Sequence, residues 1–327
     1  MPTNPMEYLW PGIIAAQAIH AAVKLRLPDA LASGPKTAAE LALESGAHPH
    51  SLECLMRALS TLEVFVRTPD GRFGNTPLAD VLRADHPQSQ REGALLLTSA
   101  FLWRPLGELE ESVRTGEPAF ERIFGQRFFP YLASHPDDAA VFNAAMTQGV
   151  SWTTSALLAA YDFSRFTQLV DVGGGEGALL RDILVATPSL RGILFDLPQV
   201  VSHASEILTG DIAARSQIVG GDFFNSVPEG ADAYILKGVI HDWPDADAAK
   251  ILHNVRRAIR SDSTLLLVEG LVDSADSPSG FSELLMLVIG GRERTEEEFR
   301  SLLAAAGFDV SRVVPTGKST LIECRPI

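Results

Sequence analysis

Residues 169–177, reading LVDVGGGEG, constrain this 327-residue chain more than any other stretch. An apolar run ends in an acid and a glycine cluster, and a helix-like stretch, residues 178–185, follows. Strand, glycine turn and helix in that order let backbone approach a nucleotide closely, with the helix N-terminus facing it. The spacing is specific. Gly173, Gly175 and Gly177 read GxGxG, whereas the dinucleotide fingerprint GxGxxG places its last glycine one residue later. Tight turns need glycine for structural reasons alone, so a second feature has to decide. Asp196 supplies it, closing the next apolar run (192–195) about 20 residues on, where a carboxylate meets ribose hydroxyls. The turn therefore reads as the seat of a nucleotide-type cofactor.

The length accommodates two domains with ample surface to bury a core. A net charge of −14 argues against nucleic-acid and anionic-membrane partners, which favour a basic face. Cys54 and Cys324 stand 270 positions apart, so neither a disulfide framework nor a thiolate metal cluster is expected. Reduced thiols in a cytoplasmic protein, with no bound metal, are the simple reading. The N-terminus lacks a basic region followed by an apolar core and a small-residue cleavage site. No apolar run reaches the ~18 residues of a membrane span.

Residues 10–27 are apolar and alanine-rich at helical spacing, a helix suited to burial, here against another chain. Thr37 to Glu40 form a capping-box signature that opens a short helix stopped at Gly46. A second helix spans 52–62, and 64–73 predict a hairpin about Pro69-Asp70-Gly71. Helix, turn, helix, hairpin is a winged-helix pattern, which raises the possibility of a DNA-binding module. The second helix carries Glu53, Arg57 and Glu63, and residues 1–100 hold 8 Lys+Arg against 10 Asp+Glu, a net −2. That balance suits an interaction domain rather than a phosphate backbone. Residues 92–113 predict a helix, the aromatics Phe120, Phe124, Phe128, Phe129 and Tyr131 fall in a loop-and-turn region, and 137–161 predict another long helix.

From Leu169 onward apolar runs of strand length alternate with helical stretches. The runs cover 169–172, 192–195, 217–219, 233–236 and 265–268; the helices cover stretches such as 198–208 and 246–260. This is a doubly wound α/β domain with a mainly parallel sheet. A last helix, 296–306, precedes a closing hairpin of 310–315 and 319–325. Ligands in such sheets sit outside the carboxyl ends of the strands. The acids and bases at those ends are Asp171, Asp196, Asp222, Lys237, His241 and Glu269. Asp222-Phe223 suits an adenine, a carboxylate beside a ring that packs on the base. His241 lies where strand gives way to loop, beside the expected cofactor, which favours a functional histidine.

At these residues the chain resembles the plant-type, S-adenosylmethionine-dependent small-molecule O-methyltransferases of the bacterial branch. The motifs LVDVGGGEG, FDLPQVV, GGDFFNSVP, LKGVIHDWPD and GGRERTEEEF carry the likeness in order, together with SVRTGEPAFERIFG. The resemblance implies a Rossmann-like, doubly wound class I methyltransferase domain over 96–327, including a helical linker. It implies an α-helical winged-helix dimerisation domain over 1–95 and hence a homodimer. S-adenosylmethionine is the implied cofactor and S-adenosylhomocysteine the product. By the same resemblance Asp171, Gly173, Gly175, Asp196, Leu197, Asp222, Phe223, Lys237 and Trp243 bind the cofactor. His241 is the general base, paired with Glu269 and Glu293. Phe142, Met146, Asp242 and Met286 line a pocket for an aromatic or polycyclic hydroxyl acceptor of natural-product metabolism. Thioethers there grip a flat ring without fixing one shape. Glu283 stands where the family commonly has Asp, and 270–281 look shorter than in plant members.

Three rival functions remain open to test. A relative repurposed for hydroxylation, decarboxylation or cyclisation keeps the cofactor, but the intact His241, Glu269 and Glu293 set argues against it. A nicotinamide dehydrogenase is disfavoured by the glycine spacing. A transcription regulator is disfavoured by the acidic balance.

Overall fold

A computed structural model describes residues 4–272, 280–317 and 319–327, with the side chains of Ser151 and Trp152 left out. Most of 270–281, whose length bears on acceptor shape, lies outside the described residues. The chain divides into two compact units, residues 1–103 and 104–327.

The first unit opens with helix Met6–Lys24 and continues through Leu27–Ala30, Ala38–Ser45 and Pro49–Thr61. Thr37 caps Ala38–Ser45 with the expected box: its hydroxyl accepts the Glu40 N–H, and the Glu40 carboxylate accepts the Thr37 N–H. Strands β1 (Phe65–Arg67) and β2 (Phe73–Asn75) pair antiparallel and complete the helix-and-hairpin pattern. The helix expected over 92–113 is instead three short helices, Arg91–Leu97, Ala100–Leu106 and Leu109–Thr115. Thr98 turns its hydroxyl onto the Ala94 carbonyl at 2.6 Å, closing the first. Pro105 and Gly107 stop the second, consistent with the missing N–H of proline and the weak helix propensity of glycine.

The second unit is built on seven strands. They are β3 (Gln168–Val172), β4 (Arg191–Asp196), β5 (Ser216–Gly220), β6 (Ala233–Lys237), β7 (Thr264–Glu269), β8 (Phe308–Pro315) and β9 (Thr320–Pro326). Their order is β5-β4-β3-β6-β7-β9-β8; the first five run parallel, and β9 joins antiparallel between β7 and β8. Strand alternation divides the apolar runs between two cores. Val170, Tyr234, Leu236, Leu265 and Leu267 enter one, with Ile251 and Val255 of helix Asp245–Ala258 and Phe299 of helix Glu296–Ala305. Leu169, Ala233, Ile235, Leu266 and Val268 enter the other, with Leu180 and Ile183 of helix Ala178–Ala186. Both faces are covered, which is why these strands read as continuous apolar runs. The order reverses at β3 between β4 and β6, so a crevice for ligands opens at the carboxyl ends there.

Two further expectations change. The loop-and-turn region around Phe120 is two helices, Ala119–Phe124 and Phe128–Ser134, the first closed by Gly125 at φ 70°. Phe120 meets Phe124, Phe128 and Tyr131 at ring distances of 4.7, 5.1 and 5.2 Å, so these aromatics form their own small core. The helix expected over 198–208 splits into Pro198–Val201 and Ala204–Ile207.

Candidate active site

The glycine turn leaves β3 through backbone that only glycine adopts without strain. Gly173, Gly175 and Gly177 have φ of 70°, 60° and 92°. Space is a second constraint. A Cβ on Gly173 would lie 2.8 Å from Val239, and one on Gly174 would lie 2.6 Å from the Asp171 carboxyl, whereas one on Gly175 would meet nothing within 4 Å. Asp196, at the end of β4, accepts the N–H of Gly175 at 2.8 Å and of Leu197 at 2.7 Å, one on each oxygen. Each oxygen retains a lone pair for a hydroxyl donor.

Asp171 is buried beneath the turn, and its Oδ2 has no hydrogen-bond partner. Burial, reinforced by the charge of Asp196, pushes its pKa up to about 7, against the pull of Lys237 and the Leu180 N–H. Burial raises Asp196 as well, opposed by the two backbone N–H groups it accepts. Lys237, at the end of β6, is lowered by burial, with Glu269 and Asp171 opposing. A glycine cradle, an unsatisfied buried carboxylate oxygen and an acid after β4 fit the polar, hydroxyl-rich body of an adenosyl cofactor.

An aromatic wall flanks the cradle. Asp222 accepts the Phe224 N–H at 2.8 Å and the Asn225 amide at 3.1 Å, while the Asn254 amide donates to the Phe223 carbonyl at 2.8 Å. These bonds fix the Phe223-Phe224 pair. The Phe223 ring lies 3.6 Å from where a Gly173 Cβ would sit. Trp243 meets Phe223 at 5.9 Å and Phe224 at 4.6 Å edge-on, and stacks on Phe129 at 5.1 Å.

His241 stands on a single 3-10 turn, Ile240–Asp242, just after β6. Glu269, the last residue of β7, uses Oε1 to accept the N–H groups of Val239 (3.1 Å) and Ile240 (2.8 Å). Its Oε2 lies 3.5 Å from His241 Nδ1, and Glu293 Oε2 lies 3.7 Å from the same nitrogen. Ser282 donates to the other Glu293 oxygen at 2.7 Å. Nε2 faces away from both glutamates, with Asp242 Oδ1 at 3.4 Å. Burial lowers the imidazole pKa, but the charges of Glu269, Asp242 and Glu293 outweigh it and push it up to about 10. Burial pushes Asp242 up to about 7, with His241 opposing and the glutamates adding. Burial also raises Glu269; burial acts the same way on Glu293, but the neighbouring His241, with Ser282 and Arg294 adding, overcomes it and lowers the pKa.

Of the other expected residues, Met286 is buried with Sδ 3.0 Å from where a Gly291 Cβ would sit, beside the His241 backbone. Phe142 and Met146 lie on helix Pro136–Ala160. Phe142 packs on Phe128 and Phe129 at 5.4 and 5.9 Å, while Met146 is 44% exposed. Thr147 donates to Glu176 at 3.2 Å, which brings that helix to the glycine turn. Thr147, Ser282 and the buried Arg294 were not legible as site residues: a single Thr, Ser or Arg carries no spacing signal. Only the motif around Arg294 pointed toward it.

Residues 106–309 match the family model for the O-methyltransferase domain, and 8–85 that for the O-methyltransferase dimerisation domain. A phenazine O-methyltransferase of Lysobacter antibioticus is 40% identical over 97% of this chain and 94% of its own length. An 8-amino-8-demethylriboflavin N,N-dimethyltransferase of Streptomyces davaonensis is 37% identical over 95% and 91%. Among solved structures, an O-methyltransferase from neocarzinostatin biosynthesis was crystallised with S-adenosylmethionine and 2-hydroxy-5-methyl naphthoic acid. It superimposes with a TM-score of 0.85 at 33% identity, over 96% of each chain.

Proposed function

The chain belongs to the S-adenosylmethionine-dependent O-methyltransferase family, and from that premise we propose that it methylates a hydroxyl of an aromatic natural-product precursor, with His241 as general base. The observation that carries this reading is the imidazole held by two acids on one nitrogen while the other is turned away from them. A hydroxyl is a poor nucleophile until its proton leaves, whereas a neutral amine needs no such step. Relatives that methylate nitrogen make this distinction necessary, and an intact base with two buried acids favours oxygen.

Bound S-adenosylmethionine supplies an electrophilic methyl group on a positively charged sulfur. The chain's residues do the rest by holding and by moving one proton. Asp196 accepts ribose hydroxyls, Asp222 and Phe223 take the adenine side, and Gly173 and Gly175 let the backbone approach the methionine end. Leu197, Lys237 and Trp243 close the cofactor's edges, with Asp171 beneath the turn. Phe142, Met146, Asp242 and Met286 hold the acceptor. His241 Nε2 takes the hydroxyl proton, and Glu269 and Glu293 stabilise the resulting imidazolium through Nδ1–H.

The domain division follows the same reading, a winged-helix dimerisation domain over 1–95 and a helical linker with the methyltransferase domain over 96–327. Two copies form a homodimer through the first, in a cytoplasm that keeps Cys54 and Cys324 as thiols.

The test is His241→Ala with methyl-labelled cofactor and a panel of phenols. Cofactor affinity measured by calorimetry is expected to hold, while kcat falls by about 10²–10⁴. Near-wild-type turnover on a phenol that is not already ionised would remove His241 as the base. Cofactor binding without label transfer to any acceptor would instead favour a repurposed enzyme.

A further inference from the structure

Among the described residues Arg294 is the largest of the fully buried side chains, at 1% exposure. Its guanidinium has five N–H donors, and all five are used. Nη1 donates to the carbonyls of Ile240 (3.0 Å) and Arg292 (3.1 Å), and Nη2 to the Trp243 carbonyl (2.8 Å) and Asp245 Oδ1 (2.8 Å). Nε donates to the same Asp245 oxygen at 3.1 Å. Ile240 and Trp243 bracket His241 and Asp242, so one rigid group grips the turn at both ends.

The surrounding backbone extends the grip. The Arg292 N–H donates to the His241 carbonyl at 2.6 Å, and Gly291 lies so close that a Cβ there would be 2.5 Å from that oxygen. Arg294 also bridges Leu271, two residues beyond Glu269, and its carbonyl accepts the Val272 N–H at 3.2 Å. Glu293 precedes it in the chain. The three segments that carry His241, Glu269 and Glu293 thus meet at Arg294, and Thr295 starts a capping box immediately after it.

We propose that Arg294 is the positioning residue for His241, its buried guanidinium fastening the 240–243 turn to the segment carrying Glu293. The proposal rests on His241 being the base. A helix-packing role would not require two carbonyls flanking that one residue. Lysine cannot replace the group, since three donors on a single nitrogen cannot reach the same five sites. A base displaced by about 1 Å can lose on the order of 10²-fold in rate.

The experiment is a double-mutant cycle between Arg294→Lys and His241→Ala, read in kcat with methyl-labelled cofactor. In the otherwise native enzyme Arg294→Lys is expected to lower kcat about 10–100-fold while cofactor affinity holds. In the His241→Ala background it is expected to lower kcat no further, because the residue it positions is gone. An equal fold-loss in both backgrounds, or no loss in either, overturns the proposal. If His241→Ala is itself near wild type, the general-base reading has failed, and this proposal with it. Should Arg294→Lys not fold, Asp245→Asn provides the second arm. Asp245 is 55% exposed, and the amide keeps an oxygen for the guanidinium without its charge. A smaller drop that vanishes in the His241→Ala background supports the proposal, and a drop of equal size in both overturns it.

Discussion

His241 sits among three carboxylates, and its charge state follows from how many of them are ionised. With its pKa pushed up to about 10, the ring keeps its proton at neutral pH in the cofactor-free protein. Only the neutral ring can accept one. A positive charge nearby disfavours imidazolium and restores the base. S-adenosylmethionine, a sulfonium, is therefore expected to lower the imidazole pKa followed by NMR, whereas S-adenosylhomocysteine, a neutral thioether, leaves it nearly unchanged. Equal shifts from both ligands would sink this account. Glu293→Gln removes one anion from Nδ1, so the pKa falls by about 1 unit and the rising limb of kcat/KM with pH moves to lower pH. The linkage has a definite sign. The folded pKa lies above the unfolded value of 6.5, so the stability from His241 is whole below pH 6.5 and is lost as pH rises toward about 10. A melting temperature falling less steeply over that window in Glu293→Gln than in wild type is the matching observation.

The glycine turn shows how an element can be readable in outline while its fine constraints are not. The sequence placed glycines at 173, 175 and 177, and the structure adds that Gly174, off the pattern, is the most crowded of the four. Gly175→Ala is expected to cost about 1–2 kcal/mol for its left-handed backbone alone. Gly174→Ala drives a methyl onto Asp171 and Leu194 and is expected to cost about 1–3 kcal/mol. Urea denaturation separates the mechanisms. Asp171→Ala should recover part of the Gly174→Ala loss and none of the Gly175→Ala loss; additive effects in both pairs would refute the contact. The strands β3, β4, β6 and β7 were legible because burial on both faces writes each as a nearly continuous apolar run. The helix break at Thr98 was not, since it depends on a hydroxyl folding back onto Ala94. The two helices around Phe120 leave no mark in the sequence either, because each is too short for a helical period to emerge. Arg294 in GGRERTEEEF reads as one more surface charge, and its burial follows only from two carbonyls that chain order does not bring together.

At the scale of the whole molecule, the feature left unexplained by one chain is the first helix. Its C-terminal half is buried through Ala18, Ala22 and Val23, while its N-terminal half presents Tyr8, Leu9, Trp10, Ile13 and Ile14 to solvent, Trp10 at 70% exposure. A helix apolar around most of its circumference belongs in a core or an interface. The match of 8–85 to a dimerisation domain points to a second copy of the chain as what covers it. Tryptophan and large aliphatic anchors at such a centre typically contribute 2 kcal/mol or more each, so replacing two of them with charge should weaken association by about 10³-fold. Sedimentation of the wild type at micromolar concentration is expected to give twice the 35.2 kDa chain mass, and Trp10→Glu with Ile13→Glu the chain mass itself. Val185→Glu, an exposed apolar position on helix Ala178–Ala186, is the control and should leave the dimer intact. A double variant that stays dimeric, or a wild type that sediments as a monomer, would place the interface elsewhere or remove it.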